Sequence, residues 1–295
     1  MAITIHAISP VAVDLFGLEI RWYALAYIAA FVIGYRLVRL LARSQCSNRG
    51  KKEFEHSKKY WDDLLTAVIL GVLIGGRLGY VLFYNLPFFI AHPWEIFMIW
   101  HGGMAFHGGL AGVIVSVFIF AFRMQNNSAF KIPHSTPQNA FGILDIVAVI
   151  TPIGLFLGRI ANFINIEVMG RPTNGSLGVV FVDPTGMPIG DGMPRHASPL
   201  YEAAMEGILL LVIMCVLWRC TRLRERAGAL SGVFAMLYAV FRAFVEQFRE
   251  PDAQIGFLTG WGLTMGQLLS IIMFIAGSAV LAWSYRNNKT LGFKR

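Results

Sequence analysis

Charge is what this chain has least of. Asp, Glu, Lys and Arg make up 14% of its 295 residues, against 56% hydrophobic, and the mean hydropathy is +0.59. A soluble globular domain carries close to a quarter charged residues, so that class is excluded. Cysteine is almost missing, with three in all. Cys46 falls in a basic loop, and Cys215 and Cys220 stand near the end of an apolar run, so no disulfide framework is expected. Cys and His nowhere cluster at zinc-ligand spacing, and neither a metal nor a cofactor is expected. The first positive charge is Arg21. The N-terminus therefore lacks the basic region of a cleavable signal peptide and is expected to be retained. A Ser-centred nucleophile elbow is absent, as is a lysine in the last apolar run for a Schiff base.

Apolar runs fill the space that charge leaves. Seven windows of about 20 residues, the length that crosses a bilayer as a helix, lie at roughly 18–42, 61–84, 103–124, 141–164, 199–219, 228–248 and 263–285. Runs this long leave no period-2 alternation, which excludes a transmembrane barrel. The expected fold is an all-α polytopic membrane protein of seven transmembrane helices, a single integral-membrane domain over 1–295.

The net charge of +8 does not point to nucleic acid, because the positive residues fall on alternate connections. Residues 36–59, the inner end of the first run and the connection after it, carry Arg36, Arg39, Arg43, Arg49, Lys51, Lys52, Lys58 and Lys59. Arg123 and Lys131 follow the third, Arg219, Arg222, Arg224 and Arg226 the fifth, and Arg286, Lys289, Lys294 and Arg295 the last. The other connections hold only Arg171, Arg195 and Arg249. The positive-inside rule then puts the N-terminus outside and the C-terminus in the cytoplasm, which needs an odd number of spans.

Four arginines remain within the runs: Arg21 opening the first helix, Arg77, Arg159 and Arg242. Each costs about 2.5–3.5 kcal/mol at a helix centre, and in this orientation all four lie toward the outer side. "RWYALAY" (21–27), "HGGMAFHGGL" (101–110, with His101 and His107) and "RHASPLYEAAME" (195–206) bring more polar residues to the same level. Asp145, near the cytoplasmic end of the fourth run, is the exception. Arg159, Asn162 and Asn165 share a helical face, as do Tyr238, Arg242, Glu246 and Arg249. Glu202 and Glu206 stand four apart below Ser198, an expected N-cap with Pro199 at the first helical position. These acids balance some of the arginines, and a surplus of positive charge is expected to remain for an anion.

Gly71, Gly75 and Gly79 recur every fourth residue, as do Gly108 and Gly112, the spacing that lets membrane helices approach closely. The paired glycines around "MAF" predict a tightly turned lead into the third helix. Residues 165–198 form the one sizeable outer connection, rich in turn residues. With "LGVVFVD" (177–183) as a short strand or hairpin, they read as a small cap on the outer side that leans on the helices.

An arginine-rich pocket at an outer leaflet suits a phosphate-bearing lipid head group, which guanidinium binds through paired charge-assisted hydrogen bonds. The competing class is an organic-anion transporter with an outward-facing arginine pocket. Transporters often show inverted repeats and polar residues on both faces, whereas here the polar residues are one-sided. A seven-helix receptor explains neither the arginines nor the glycines.

"GRIANFINIEVMGR" (158–171), "RWYALAY", "GGRLGYVLFYN", "HGGMAFHGGL", "RHASPLYE" and "YAVFRAFVEQFREPDAQ", in that composition and in one chain order over about 20–285, closely resemble the bacterial phosphatidylglycerol–prolipoprotein diacylglyceryl transferase family. The resemblance implies an enzyme of the bacterial cytoplasmic (inner) membrane with its active site toward the periplasm. It would move the diacylglyceryl group of phosphatidylglycerol to the lipobox cysteine thiol of a prolipoprotein, giving a thioether and glycerol 1-phosphate. Its partners would be membrane lipid and prolipoprotein, not nucleic acid. The resemblance makes Arg159 the head-group ligand and Arg242 the second essential arginine, with His107 the third catalytic candidate. It places Tyr23, Asn162, Gly170, Tyr238 and Glu246 around the site. Arg77, Glu167, His196 and Arg249 complete the candidate substrate-binding set. The family commonly has Gly where this chain has Ala161 and Ile166, and Gln where it has Pro199.

Overall fold

A computed structural model of the chain describes residues 2–43, 51–99, 102–125, 136–250 and 262–286. Of the residues named above, Cys46, Arg49, His101, Lys131, Lys289, Lys294 and Arg295 lie outside the described residues. So do the side chains of Arg43, Lys51, Lys52, Lys58 and His107.

A helix stands at each of the seven apolar windows: α1 (Trp22–Arg43), α2 (Lys51–Phe83), then after a short α3 (Leu86–Ala91) α4 (Phe106–Gln125), α5 (Thr136–Ile164), α6 (Ser198–Glu202) continuing into α7 (Leu210–Cys220), α8 (Ala229–Val245) and α9 (Met265–Arg286). Five stretches are long and apolar enough to cross a membrane: Trp22–Leu40, Lys59–Phe83, Pro137–Ile164, Ser198–Cys220 and Met265–Arg286. Gly108–Met124 and Ala229–Val245 are shorter apolar helices. Large aliphatic side chains such as Ile28, Val32, Leu82, Val212 and Ile275 face outward, the inverse of a water-soluble surface. By its contacts the chain divides into two compact units, one made of Met1–Val38 and Asp145–Lys289, the other built on Arg39–Leu144.

In the second unit, α2 lies against α4 along the glycines. A Cβ on Gly79 would come within 2.7 Å of Gly108 Cα, and one on Gly71 within 2.7 Å of Gly112 O. Only hydrogen at these positions lets the backbones meet. The lead into α4 is tightly turned, as the paired glycines require. Gly102 and Gly103 both take positive φ, 85° and 81°, and Ala105 N donates to Gly76 O at 2.9 Å.

In the first unit, Pro152 sits inside α5, where its missing N–H would orphan a carbonyl. The preceding residue, Thr151, donates its Oγ1 to Val147 O at 2.8 Å, next to the carbonyl of Ala148 that the proline leaves without its helical donor. Between α6 and α7 the chain runs without a break through a π-helical turn, Ala203–Leu209. Gly207 there presses on α5, since a Cβ would come within 2.7 Å of Phe156 Cβ. Asp145 has a plain structural part. Its buried carboxylate accepts Gly228 N at 2.8 Å, Ser231 N at 2.7 Å and Ser231 Oγ at 2.5 Å, which satisfies the orphan N–H groups that open α8.

The strand expected over 177–183 is β4 (Gly178–Val182), but its partners come from elsewhere in the sequence. It pairs in parallel with β1 (Ile3–His6), Ile3 opposite Val179, and antiparallel with β5 (Arg195–His196). A hairpin of β2 (Val11–Leu15) and β3 (Leu18–Arg21) precedes α1. Arg21 therefore closes a strand instead of opening the helix, exposed 3.7 Å from Glu19. Val179, Phe181 and Ala197 form a small core that Ile5, Phe163, Ile166, Met169 and Leu200 complete, so the sheet does lean on the helix ends. Ser198 is not the N-cap. Its hydroxyl donates to Val168 O at 2.7 Å, and Ala197 occupies the cap position. Val168 is held at φ 59°, and the serine hydroxyl is committed to its carbonyl.

Candidate active site

Arg159 on α5 and Arg242 on α8 converge on one carboxylate. Glu202, with no exposed surface, has Oε2 2.7 Å from Arg159 Nε and Oε1 2.8 Å from Arg242 Nη1. Glu206, one turn on and equally buried, is more loosely held, its Oε2 3.4 Å from Arg159 Nη2 and its Oε1 3.8 Å from Arg242 Nη1. The π turn contributes to this pairing. Its wider i→i+5 winding brings residues four apart closer to one face than an α-turn does, so both acids point at the same arginines. Glu246 closes the other side of Arg242 at 2.7 Å and accepts Thr264 Oγ1 at 3.0 Å. Arg249 Nη1 stands 3.9 Å from Glu202 Oε1.

Among the described residues around the arginine pair, positive charge is not in surplus. Arg159 and Arg242 face Glu202, Glu206 and Glu246; adding Arg249 makes the group neutral, and leaving it out makes it negative. Burial accounts for this, because a guanidinium away from water is held only beside a carboxylate. Both arginines nevertheless keep one edge open, with side chains 19% and 12% exposed. Among the described residues Arg159 Nη1 has no ion-pair or hydrogen-bond partner.

Asn162 and Tyr238 are buried in the same unit, Asn162 Oδ1 with no hydrogen-bond partner among the described residues. Tyr238 lies in the electrostatic field of Glu206, Arg159 and Arg242. The half-buried Tyr23 faces the exposed Glu167, and Asn165 Nδ2 donates to Glu167 Oε1 at 3.4 Å. Glu167 is set by the end of α5. Ile166 N donates to Phe163 O and Glu167 N to Asn162 O at 2.9 Å, with Ile166 at φ 58°. This is the Schellman closure, whose left-handed position glycine normally fills. A β-branched residue there is strained, and the Ile166 side chain packs on the sheet core in compensation.

Three other candidates are employed differently from the arginine pair. Gly170 is a point of close backbone approach, where a Cβ would come within 2.7 Å of both His196 Cβ and His196 O. Its N–H donates to His196 O at 2.9 Å, while Arg171 N donates to Phe248 O at 2.9 Å. His196 stands between the Tyr201 and Phe248 rings, Nδ1 3.3 Å from the Tyr201 hydroxyl. Arg77, in the other unit, is spent on main chain. It donates to the carbonyls of Ile96 at 2.9 Å, Gly103 at 3.1 Å and Met98 at 3.1 Å, and to those of Glu95 and Gly102. That guanidinium shapes the turn leading to α4, whose first turn carries His107.

Glu202 and Glu206 were visible in the sequence as an i, i+4 pair but not as the brace of both arginines. Thr264 carried no signal, because a lone threonine before an apolar run is ordinary.

A family model described as prolipoprotein diacylglyceryl transferase matches residues 10–283. The phosphatidylglycerol–prolipoprotein diacylglyceryl transferase of Azospirillum brasilense is 45% identical over 288 residues, 97% of this chain and 98% of its own. The protein of that name from Nitrobacter hamburgensis is 47% identical over 286 residues, 96% of this chain and 91% of its own. That of Bradyrhizobium diazoefficiens is 45% identical over 289 residues, 97% and 95% respectively. Matched from residue 10 to 283 and nearly half identical to these relatives along almost its whole length, the chain belongs to the prolipoprotein diacylglyceryl transferase family.

Proposed function

We propose that this protein transfers the diacylglyceryl group of phosphatidylglycerol to the lipobox cysteine thiol of a prolipoprotein, forming a thioether and releasing glycerol 1-phosphate. The observation that carries the reading is the arginine pair on α5 and α8, braced by a single buried carboxylate in a chain of this family. Held at one acid, the two guanidinium groups present fixed donors to a phosphodiester and to the charge that grows on it as it departs. In the transfer, the bond between glyceryl C3 and a phosphate oxygen breaks and its electron pair stays on that oxygen. The thiolate sulfur forms the new bond to C3. A thiol of pKa about 8.5 is mostly protonated near neutrality, so its proton must be taken up. We assign that part to His107, or to a Tyr or Glu acting through it.

In this reading seven helices span the bacterial cytoplasmic membrane with the N-terminus outside, as the distribution of Lys and Arg supports. The arginine cluster and the sheet over 165–198, the periplasmic cap, lie toward the periplasm. Asn162, Tyr238, Glu246 and Arg249 contribute to the arginine site, with Tyr23 and Glu167 at its margin. Gly170 and His196 hold the backbone beneath.

The test is mass spectrometry of a lipobox peptide incubated with purified protein and phosphatidylglycerol. A diacylglyceryl mass gain on cysteine with glycerol 1-phosphate released is expected. Arg159→Ala and Arg242→Ala should each lose about 10²–10³-fold in turnover, the usual cost of deleting a charge-stabilising donor. A folded, lipid-binding protein that gives no mass gain would refute the reading.

A further inference from the structure

We propose that Glu206 takes up a proton when the phosphodiester enters, so that lipid binding and protonation of this buried carboxylate are one coupled event. The inference rests on the substrate class given above and deepens it. A phosphatidylglycerol head group brings one negative charge into a cluster with no positive surplus to receive it. Arg159 and Arg242 already face Glu202, Glu206 and Glu246, and Arg249 at 3.9 Å only brings the count to neutrality. A further uncompensated anion at a site removed from water is strongly unfavourable. Protonating one carboxylate restores the balance and frees a guanidinium edge for the phosphate.

The geometry says which acid. Glu202 has both oxygens in short ion pairs, 2.7 and 2.8 Å. Glu246 is held at 2.7 Å by Arg242 and accepts Thr264 Oγ1 at 3.0 Å. Glu206 has only the long contacts, 3.4 and 3.8 Å; among the described residues one oxygen of each acid, Glu202 Oε2, Glu246 Oε2 and Glu206 Oε1, accepts no hydrogen bond, and of these only Glu206 Oε1 also lacks a short ion pair, although its side chain is completely buried. That oxygen is an open position for a proton. The groups facing Glu206 are Arg159 from α5, Tyr238 and Arg242 from α8, and Glu202 on its own helix, while Glu246 and Arg249 join the cluster through Arg242 and Glu202. A phosphate that draws Arg159 or Arg242 toward itself takes charge from Glu206 first, because those are its longest ion pairs. Arg159 Nη1, unpartnered among the described residues, is the nearest donor to lead that shift.

The measurement is isothermal titration calorimetry of short-chain phosphatidylglycerol into detergent-solubilised protein, in buffers of different ionisation enthalpy. The wild type should take up about one proton per lipid bound. Its affinity should fall about tenfold per pH unit on the alkaline side, the slope of a one-proton linkage. Glu206→Gln, which mimics the protonated acid, should bind with no proton uptake and no pH slope. Binding by the wild type without a buffer-dependent heat would overturn the inference and leave the substrate reading intact. A full proton taken up by Glu206→Gln would overturn the assignment to this residue. Failure of the wild type to bind phosphatidylglycerol at all would sink the substrate reading itself and the inference with it.

Discussion

Replacing Glu202 with glutamine removes the one negative charge on which both arginines close, at 2.7 and 2.8 Å. The side-chain shape is kept, but the amide offers one acceptor oxygen and one NH2 group. Whichever way it turns, an N–H donor faces a guanidinium donor, and a charge that was paired in a buried site is left partly uncompensated. Breaking a buried pair in this manner costs about 3–5 kcal/mol. Part of that falls on the folded state and lowers the thermal unfolding midpoint by several degrees. The rest moves a guanidinium from its position, and every 1.4 kcal/mol of that share is about tenfold in rate, so a loss of at least about a hundredfold in turnover is expected. The assay is conversion of a lipobox peptide followed by mass spectrometry, beside thermal unfolding in the same detergent. Glu202→Asp keeps the charge but cannot reach both partners, and should fall between wild type and Glu202→Gln. Turnover within about twofold of wild type, with an unchanged midpoint, would refute the reasoning that Glu202 sets the arginine pair.

Three further outcomes follow from particular contacts. Lysine cannot reproduce the five carbonyl contacts that Arg77 makes. Arg77→Lys should therefore lower kcat at least about tenfold while leaving phosphatidylglycerol affinity unchanged; an equal loss of affinity would return Arg77 to a substrate-binding role. At position 166, φ is 58°. Alanine keeps the left-handed penalty that glycine removes, so Ile166→Gly should be more stable than Ile166→Ala by about 1 kcal/mol, and thermal unfolding giving the opposite order would show that the Schellman closure is not strained. The exposed Asp191 carboxyl is held below its ordinary value of 3.8 by the hydrogen bond from Arg195 and then by Met193 N–H. A depressed acid contributes stability that is full above the ordinary value and lost as pH falls through the lower one. Protection factors for amide exchange at Met193, taken against the intrinsic rate at each pH, should thus stay constant from pH 8 to 5 and fall only below about 3.8; protection lost already near neutrality would contradict this.

Much of the site was legible because it violates the composition around it. Arg159 and Arg242 stand out in apolar runs, and the i, i+4 step from Arg242 to Glu246 is a real ion pair at 2.7 Å. Helical periodicity relates residues on one helix, and that is its limit. It cannot say that Glu202, on a third helix, has one oxygen for each arginine, and so the charge balance of the described residues around the pair was not legible. Arg77 carried the same apolar-run signal as Arg159, yet its guanidinium went to the main-chain carbonyls of residues 95–103, which come from a segment distant in sequence that periodicity on α2 does not name.

What this sequence determined by itself was where the apolar helices lie along the chain and the line of glycines between α2 and α4. Apolar run length and small-residue spacing are local quantities, readable along one chain. Only the tertiary structure decided the parallel pairing of Ile3–His6 with Gly178–Val182, the capping of α8 by Asp145 from α5, and the neutral balance of the arginine cluster. Each of those joins residues more than 40 positions apart or on different helices, where burial forces every charge and every backbone N–H to find a partner that the local pattern does not name.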